Sequence, residues 1–224
     1  QSTIGNTYSE AENYLKSGRV VLFTGTPCQI GGLLSYLGKS YDNLYTQDII
    51  CHGVPSPLVW KKYLSFKEKL ANDNVEDIKF RDKSQGWIRY SVRFDFKKKE
   101  RYTNYYKNDI YMKGFVSNLF LRPSCHSCSF KGIARCSDIT LADFWGIQSV
   151  IPKMNDDKGT SLVIIQSDKG KKLINEIKEK ILSKEVNLNI IEHINESAVK
   201  SSKMNKKRKA FMKDLQNDLP IEAI

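Results

Sequence analysis

Arg19-Val20-Val21-Leu22-Phe23-Thr24-Gly25-Thr26-Pro27-Cys28-Gln29 is the stretch on which the fold turns. Arg19 to Thr24, rich in β-branched and aromatic residues, reads as a buried strand, and Gly25 to Gln29 is the tight turn that ends it. From Gln29 to Leu37 the apolar residues Ile30, Leu33, Leu34 and Leu37 recur at helical spacing until Gly38 stops them. Residues 43–50 return to a strand pattern. The unit is therefore β-α-β, for which parallel strands joined by a right-handed crossover are the strong default. Just upstream, Ala11, Tyr14 and Leu15 share one face of a helix at 8–17 that stops at Gly18.

Downstream, Ser56 and Pro57 open a helix as N-cap and first-turn proline, running to about Ala71. A strand at 75–80 follows, then Trp87 to Phe96, where Ile88, Tyr90, Val92, Phe94 and Phe96 alternate with polar or basic residues as in a half-exposed strand. Arg101 to Tyr106 is its expected antiparallel mate, although Lys97 to Glu100 carries no Asn-Gly turn signal. The remaining pattern predicts a helix at 108–120, a cysteine loop at 121–137, strands at 139–141 and 161–166, and an amphipathic helix at 168–182. A strand at 186–191 and a basic helix at about 196–215 complete it. The expected class is α/β: a mixed sheet with an N-terminal parallel β-α-β unit, an antiparallel hairpin and flanking helices. Residues 1–192 are expected to form the main domain and 193–224 a basic helical tail.

With 224 residues, 40% of them hydrophobic, the chain is long enough to bury a core. No apolar run approaches the roughly 20 residues needed to span a bilayer, and no secretory signal pattern opens the chain, so a cytoplasmic location without a membrane span is expected. Gln1 to Thr7 lacks an initiating Met and reads as the middle of a longer chain. The 36 basic residues against 25 acidic ones give a net charge of +11, but the charge is scattered. Its two dense spots, Lys97 to Arg101 and Lys206 to Lys209, lack the aromatic interleaving of a base-stacking surface. They read as solvated faces, and DNA is not an expected partner.

Five cysteines in a reducing compartment are ligands, reactive thiols or buried fillers before they are disulfides. Cys28 and Cys51 each lie just past the carboxyl end of a strand of the β-α-β unit, in a loop containing Gly and Pro. Parallel strands put those ends on one edge of the sheet, where open α/β sheets build binding sites. Cys125-His126-Ser127-Cys128 is a C-x-x-C whose two thiolates reach one metal centre from a single turn. Together the four form a thiolate site of the kind that holds zinc or iron-sulfur. Cys136 reads as structural or supporting; His52 and His126 flank ligand candidates, either to hydrogen-bond a cluster sulfur or as ordinary loop polar groups.

Five ordered segments carry a resemblance. They are Gly25-Thr26-Pro27-Cys28-Gln29, Cys51-His52-Gly53-Val54-Pro55-Ser56 and Arg122-Pro123-Ser124-Cys125-His126-Ser127-Cys128, followed by Asp138-Ile139-Thr140-Leu141-Ala142-Asp143-Phe144-Trp145-Gly146 and Lys158-Gly159-Thr160-Ser161. In this order the chain resembles the C-terminal domain of the coenzyme F420 hydrogenase/dehydrogenase beta-subunit family. The resemblance implies an oxidoreductase subunit or domain that binds FAD beside a four-iron four-sulfur (4Fe-4S) cluster. It would pass electrons between that cluster and a deazaflavin or other hydride carrier. Some similar bacterial proteins are linked to polysaccharide biosynthesis. The implied cluster ligands are Cys28, Cys51, Cys125 and Cys128, and the implied cofactor contacts are Gly25, Thr26, Arg135, Asp143, Lys158, Gly159, Thr160 and Ser161. Lys158 to Ser161 offers a cation, a pliant backbone and two hydroxyls suited to phosphate or flavin oxygens; its competing reading is a plain turn before a strand. In the family's full-length pattern a ferredoxin-like segment with its own cysteines precedes this domain, and that segment or a separate redox protein is the expected partner. No G-x-G-x-x-G follows a strand, so an ordinary Rossmann site is not supported. Hydride transfer requires no side-chain acid or base, and no catalytic side chain is assigned. Two rival readings stand beside this one. The first is a zinc-stapled binding protein that uses its basic surface for RNA or another acidic partner. The second is a scaffold without cofactor, against which the presence of all four thiols argues.

Overall fold

The computed structural model describes residues 3–217, Pro220 and Ile221. In chain order the elements are α1 (Thr7–Lys16), β1 (Val21–Thr24), α2 (Pro27–Leu37), β2 (Leu44–Ile49), α3 (Pro57–Ala71), β3 (Val75–Asp82), β4 (Ser91–Phe96) and β5 (Tyr102–Tyr105). There follow α4 (Ile110–Val116), a 3-10 turn at Pro123–Ser127, β6 (Ile139–Asp143), α5 (Ile147–Val150), β7 (Ser161–Ile165), α6 (Asp168–Ile177), α7 (Ile191–Ile194) and α8 (Arg208–Gln216). The chain packs as two compact units. The first takes the residues up to His52, Cys128–Met154 and Thr160–Ser201; the second takes Gly53–Ser127, Asn155–Gly159 and the residues from Ser202 onward.

The first unit is built on a four-stranded sheet of order β1-β2-β6-β7. β1, β2 and β6 run parallel, and β7 is antiparallel to β6. The expected β-α-β unit is present, with Val21 opposite Leu44 and Thr24 opposite Gln47. α2 starts at Pro27, whose fixed φ suits the first helical position, and ends on Gly38 at φ +64°, a left-handed cap that favours glycine. Ile30 and Leu33, both at 0% exposure, bury its apolar face with Phe23, Leu44, Ala11 and Leu15. Asp138 joins three elements: its carboxylate accepts from the Thr46 amide at 2.7 Å, the Thr46 hydroxyl at 2.9 Å and the Ser167 hydroxyl at 2.5 Å. The Asp138 end of the fourth sequence motif thus pins β2 to β6 and to the N-cap of α6.

The second unit holds the antiparallel sheet β3-β4-β5. Its core gathers Val59, Tyr63, Val92, Phe94 and Phe120 with Phe211 and Leu215 of α8. The β4–β5 hairpin forms without a turn dipeptide because the turn is held from outside. Asp73, on the loop after α3, accepts from the Lys98 amide at 2.6 Å and the Lys99 amide at 2.9 Å. Trp87 to Tyr90 lies outside β4, contrary to the expected strand. Asp157 captures this stretch instead, its carboxylate accepting from the Trp87 and Ile88 amides at 3.0 Å each.

The predicted strand at 186–191 is a 3-10 turn at Leu188–Ile190 leading into α7. Asn187 accepts from the Asn189 amide and starts that turn, and Ile191 is buried with Phe144 and Ile164. The expected basic helix at 196–215 begins only at Arg208. Before it the stretch is tied to other partners: the Lys203 carbonyl accepts from Asn118 at 3.0 Å, and the Asn205 side chain donates to the Ser117 carbonyl at 2.8 Å. Of the expected tail at 193–224, residues 218, 219 and 222–224 lie outside the described residues.

Three carboxylates of the second unit are held below the usual range. Asp73 is lowered first by the Lys98 amide, Asp82 by Ser84 and then Arg93, and Asp95 by Arg101 and Arg93. A group whose native pKa lies below its unfolded value contributes fully above the unfolded value and loses that contribution as falling pH crosses the native one. Melting midpoints measured from pH 7 to pH 2 should therefore hold above the ordinary carboxylate value of about 4 and decline below it. Asp73→Asn should flatten part of that decline.

Candidate functional site

Because β1, β2 and β6 are parallel, their carboxyl ends share one edge of the first unit. β7 runs the other way, so its first residue, Ser161, sits opposite Asp143 at that same edge. The edge therefore carries Gly25, Thr26 and Cys28 after β1, Cys51 after β2, Asp143 at the end of β6, and Thr160 and Ser161 at the start of β7. Cys28 departs from expectation in one respect: it lies within the first turn of α2 rather than in a loop. The turn before it is tight. The Gln29 side-chain oxygen accepts from the Thr26 amide at 2.9 Å, and a Cβ on Gly25 would stand 3.1 Å from that oxygen. The Thr26 hydroxyl lies 3.2 Å from the Cys28 sulfur. Tyr8, donating to the Gln29 carbonyl at 2.7 Å, has its hydroxyl pKa raised by burial and then by the charge of Cys28.

The loop that begins at Cys128 draws these strand ends together. The Cys128 amide donates to the Ser201 hydroxyl at 3.0 Å. Two residues on, the Phe130 ring lies over Gly31 of α2 so closely that a Cβ there would come within 2.3 Å of it. Lys131 then donates to the Cys51 carbonyl and, at 2.7 Å, to the Ser197 carbonyl, and the Gly132 amide donates to the Ala198 carbonyl at 2.9 Å. One short loop thus touches the helix bearing Cys28 and the residue Cys51 itself. Sequence reading missed Phe130 and Lys131; their position directly after the C-x-x-C was the only signal they carried.

Beneath this loop lies a buried ion pair. The Arg135 guanidinium, 3% exposed, stands 3.3 Å from the Asp48 carboxylate, itself at 0%. It also donates to the carbonyls of Ile49 at 3.1 Å, Ala198 at 3.2 Å and Gly132 at 3.1 Å. Arg135, expected among the cofactor contacts, is here committed to joining β2, the cysteine loop and the 196–198 turn. Asp48 escaped sequence reading, although an acid inside a buried strand is itself a signal. Cys136 is exposed, and burial of part of its surroundings followed by the charge of Asp48 raises its thiol pKa.

Cys125 belongs to the second unit. Gly53 to Pro55 pairs antiparallel with Phe120 to Arg122: the Arg122 amide donates to the Val54 carbonyl at 2.8 Å, and the Ser56 amide to the Phe120 carbonyl at 2.9 Å. This pairing aims the Val54 amide at the Cys125 sulfur, 3.4 Å away. A Cβ on Gly53 would come within 2.8 Å of the Leu121 side chain, which would have to shift. His126 bonds through Nδ1 to the Ser202 carbonyl at 2.8 Å; a carbonyl only accepts, so Nδ1 carries the proton, and Nε2 is buried without a hydrogen-bond partner. Lys158 and Gly159 belong to this unit as well. Gly159, at φ +103°, lies against Trp87, where a Cβ would come within 2.6 Å of the ring. The Lys158 carbonyl accepts from Lys83 at 3.3 Å. In the first unit, the Thr160 hydroxyl donates to the Met154 carbonyl at 2.7 Å.

The donor chemistry suits a metal-sulfur centre. None of the four expected ligands is in a disulfide, and the Cys125 sulfur has a backbone amide and the Cys28 sulfur a hydroxyl beside it. Among the described residues, no three His, Cys, Asp or Glu side chains are already drawn together at metal-holding geometry. Three of the thiols stand in the first unit and Cys125 in the second.

Fold and site define an α/β protein with a thiol-bearing carboxyl edge on a mixed sheet. The chain belongs to the coenzyme F420 hydrogenase/dehydrogenase beta-subunit family: residues 18–189 match the family model that describes the C terminus of the beta subunit. It is a family of redox proteins by name. Among solved structures, the chain is similar to the xenon-derivatized F420-reducing NiFe hydrogenase complex from Methanosarcina barkeri, at 15% identity and a TM-score of 0.47 over 92% of this chain and 65% of that one. It spans just under two thirds of that hydrogenase chain. No curated protein matches it.

Proposed function

We propose that this chain is an iron-sulfur flavoprotein module in which Cys28, Cys51, Cys125 and Cys128 hold a 4Fe-4S cluster and the same sheet edge receives FAD. A bound cluster and flavin together supply exchange between one-electron and hydride chemistry. The protein's residues bind, orient and tune. The Val54 amide and the Thr26 hydroxyl stand beside ligand sulfurs, where hydrogen bonds modulate cluster potential. Gly25, Thr26, Asp143, Thr160 and Ser161 offer backbone and hydroxyl groups to the flavin from one edge, with Lys158 and Gly159 as further contacts. Arg135 supports the edge through the cysteine loop. The electron source is a redox partner protein or a ferredoxin-like segment, and the hydride carrier a deazaflavin or a related small molecule, with a role in polysaccharide biosynthesis as one setting. We place the activity in the cytoplasm. Among the described residues no helix is long and apolar enough to cross a membrane.

The observation that supports this reading is that the loop beginning at Cys128 packs on α2, the helix bearing Cys28, and bonds to the Cys51 carbonyl, in a chain of this family. The test is anaerobic reconstitution of the full chain followed by visible spectroscopy and assays for iron, sulfide, zinc and released flavin. Iron and sulfide near four each per chain, with FAD, are expected for a 4Fe-4S flavoprotein, and Cys125→Ser should lose most of the iron. Zinc without sulfide or flavin would replace this reading with that of a zinc-stapled binding protein.

A further inference from the structure

We infer that Lys131 is a positioning and potential-setting residue: its ammonium latches the Cys51 loop to the Cys128 loop and places a positive charge beside the cluster. The inference rests on the cluster reading above and adds a role for a residue outside the ligand set. Lys131 starts three residues after Cys128, and its side chain crosses to the carbonyls of Cys51 and Ser197. It is thus tied covalently to the loop of one expected ligand and by hydrogen bond to the backbone of another. The surrounding contacts hold it there: the Gly132 amide on the Ala198 carbonyl, the Cys128 amide on Ser201, and the Phe130 ring against Gly31.

A cation bonded to the carbonyl of Cys51 lies only a few bonds from that residue's sulfur, well inside the screening length of about 10 Å at 0.1 M salt. Reduction adds one negative charge to a cluster, and a nearby positive charge favours that state. Coulomb contributions add, so removing this cation lowers the potential whatever other charges surround it. Gln at 131 keeps an N–H donor on a side chain one atom shorter and removes the charge, whereas Arg keeps both the charge and the reach.

The test uses the full chain, anaerobically reconstituted, as wild type, Lys131→Gln and Lys131→Arg. Iron and sulfide content and the cluster's midpoint potential, followed by electron paramagnetic resonance in a redox titration, are the readouts. Expected is a tenfold or larger fall in the reduction equilibrium for Lys131→Gln, which for one electron is about 59 mV, with Lys131→Arg close to wild type. Loss of the cluster in the Gln variant but not in the Arg variant also supports the inference, since Arg keeps a charged latch of full reach and Gln does not. A Gln variant with a full cluster at the wild-type potential overturns it, as does cluster loss in both variants, which would make side-chain shape decisive. A wild-type chain that assembles no cluster defeats the functional proposal itself, a result distinct from any of these.

Discussion

Arg135→Ala should destabilise the first unit by about 3–5 kcal/mol, the range for stripping one partner from a buried ion pair. The loss has identifiable parts. Asp48 would be left at 0% exposure with its charge unpaired, and its Oδ1 already lacks a hydrogen-bond partner. The carbonyls of Ile49, Ala198 and Gly132 would each lose a donor. Such a loss is a large fraction of the roughly 5–15 kcal/mol that stabilises a typical domain. Urea unfolding of wild type, Arg135→Ala, Asp48→Ala and the double variant measures the coupling. The double variant should be more stable than the sum of the single losses implies, because no charge is then left buried. A stable Arg135→Ala protein whose only defect is weak flavin binding would instead make Arg135 a direct cofactor contact.

The second large effect is expected at Asp109, in the second unit. Its carboxylate, at 0% exposure, accepts from the Tyr63 hydroxyl and from the Met112 amide at 3.1 Å, and lies 3.8 Å from the Lys67 ammonium. Burial and then the bond to Asp109 raise the Tyr63 hydroxyl far above its usual pKa, so it stays a proton donor. Lys67 is also placed over the Tyr102 ring at 3.8 Å, a cation-π contact that holds it in the interior. Asp109→Ala removes the helix cap of α4 and leaves a buried cation beside aromatic rings. About 3–5 kcal/mol is expected for the broken ion pair, with about 1 kcal/mol more for the cap. Asp109→Asn retains the cap and a hydrogen bond to Tyr63 and should lose less. Denaturant midpoints for the two variants, with Lys67→Met added to the Ala background, check the assignment: Lys67→Met should recover part of the loss.

Both effects were invisible in the sequence for the same reason. Arg135 and Asp48 are far apart in the chain, as are Lys67 and Asp109, and periodicity reports that a position is buried without reporting its partner. The expected strand at 186–191 failed on related grounds. Of its apolar residues only Ile191 is fully buried and Leu188 is exposed, and Asn187 offers the backbone a local hydrogen bond that starts a turn. Trp87 to Tyr90 alternates like a strand, yet Asp157 takes its amides. The hairpin without a turn signal was readable because the alternation of β4 is long, while the group that holds its turn, Asp73, belongs to another element.

What the amino-acid sequence determined by itself is the β-α-β beginning, the mixed α/β class and the order of the cysteine motifs. Each follows from local patterns: a 3.6-residue period ended by Gly38, a β-branched run ended by Gly25, and thiols just beyond strand ends. Parallel pairing then put Cys28 and Cys51 on one edge, a consequence of topology that needs no distances. Tertiary structure alone decided that β7 brings Ser161 to that edge, that Lys131 ties Cys51 to the Cys128 loop, and that Arg135 and Gly159 serve Asp48 and Trp87. These depend on which long side chain reaches which buried group once the chain is compact, and that choice is made by packing and by the cost of leaving polar groups unpaired, not by any neighbour in sequence.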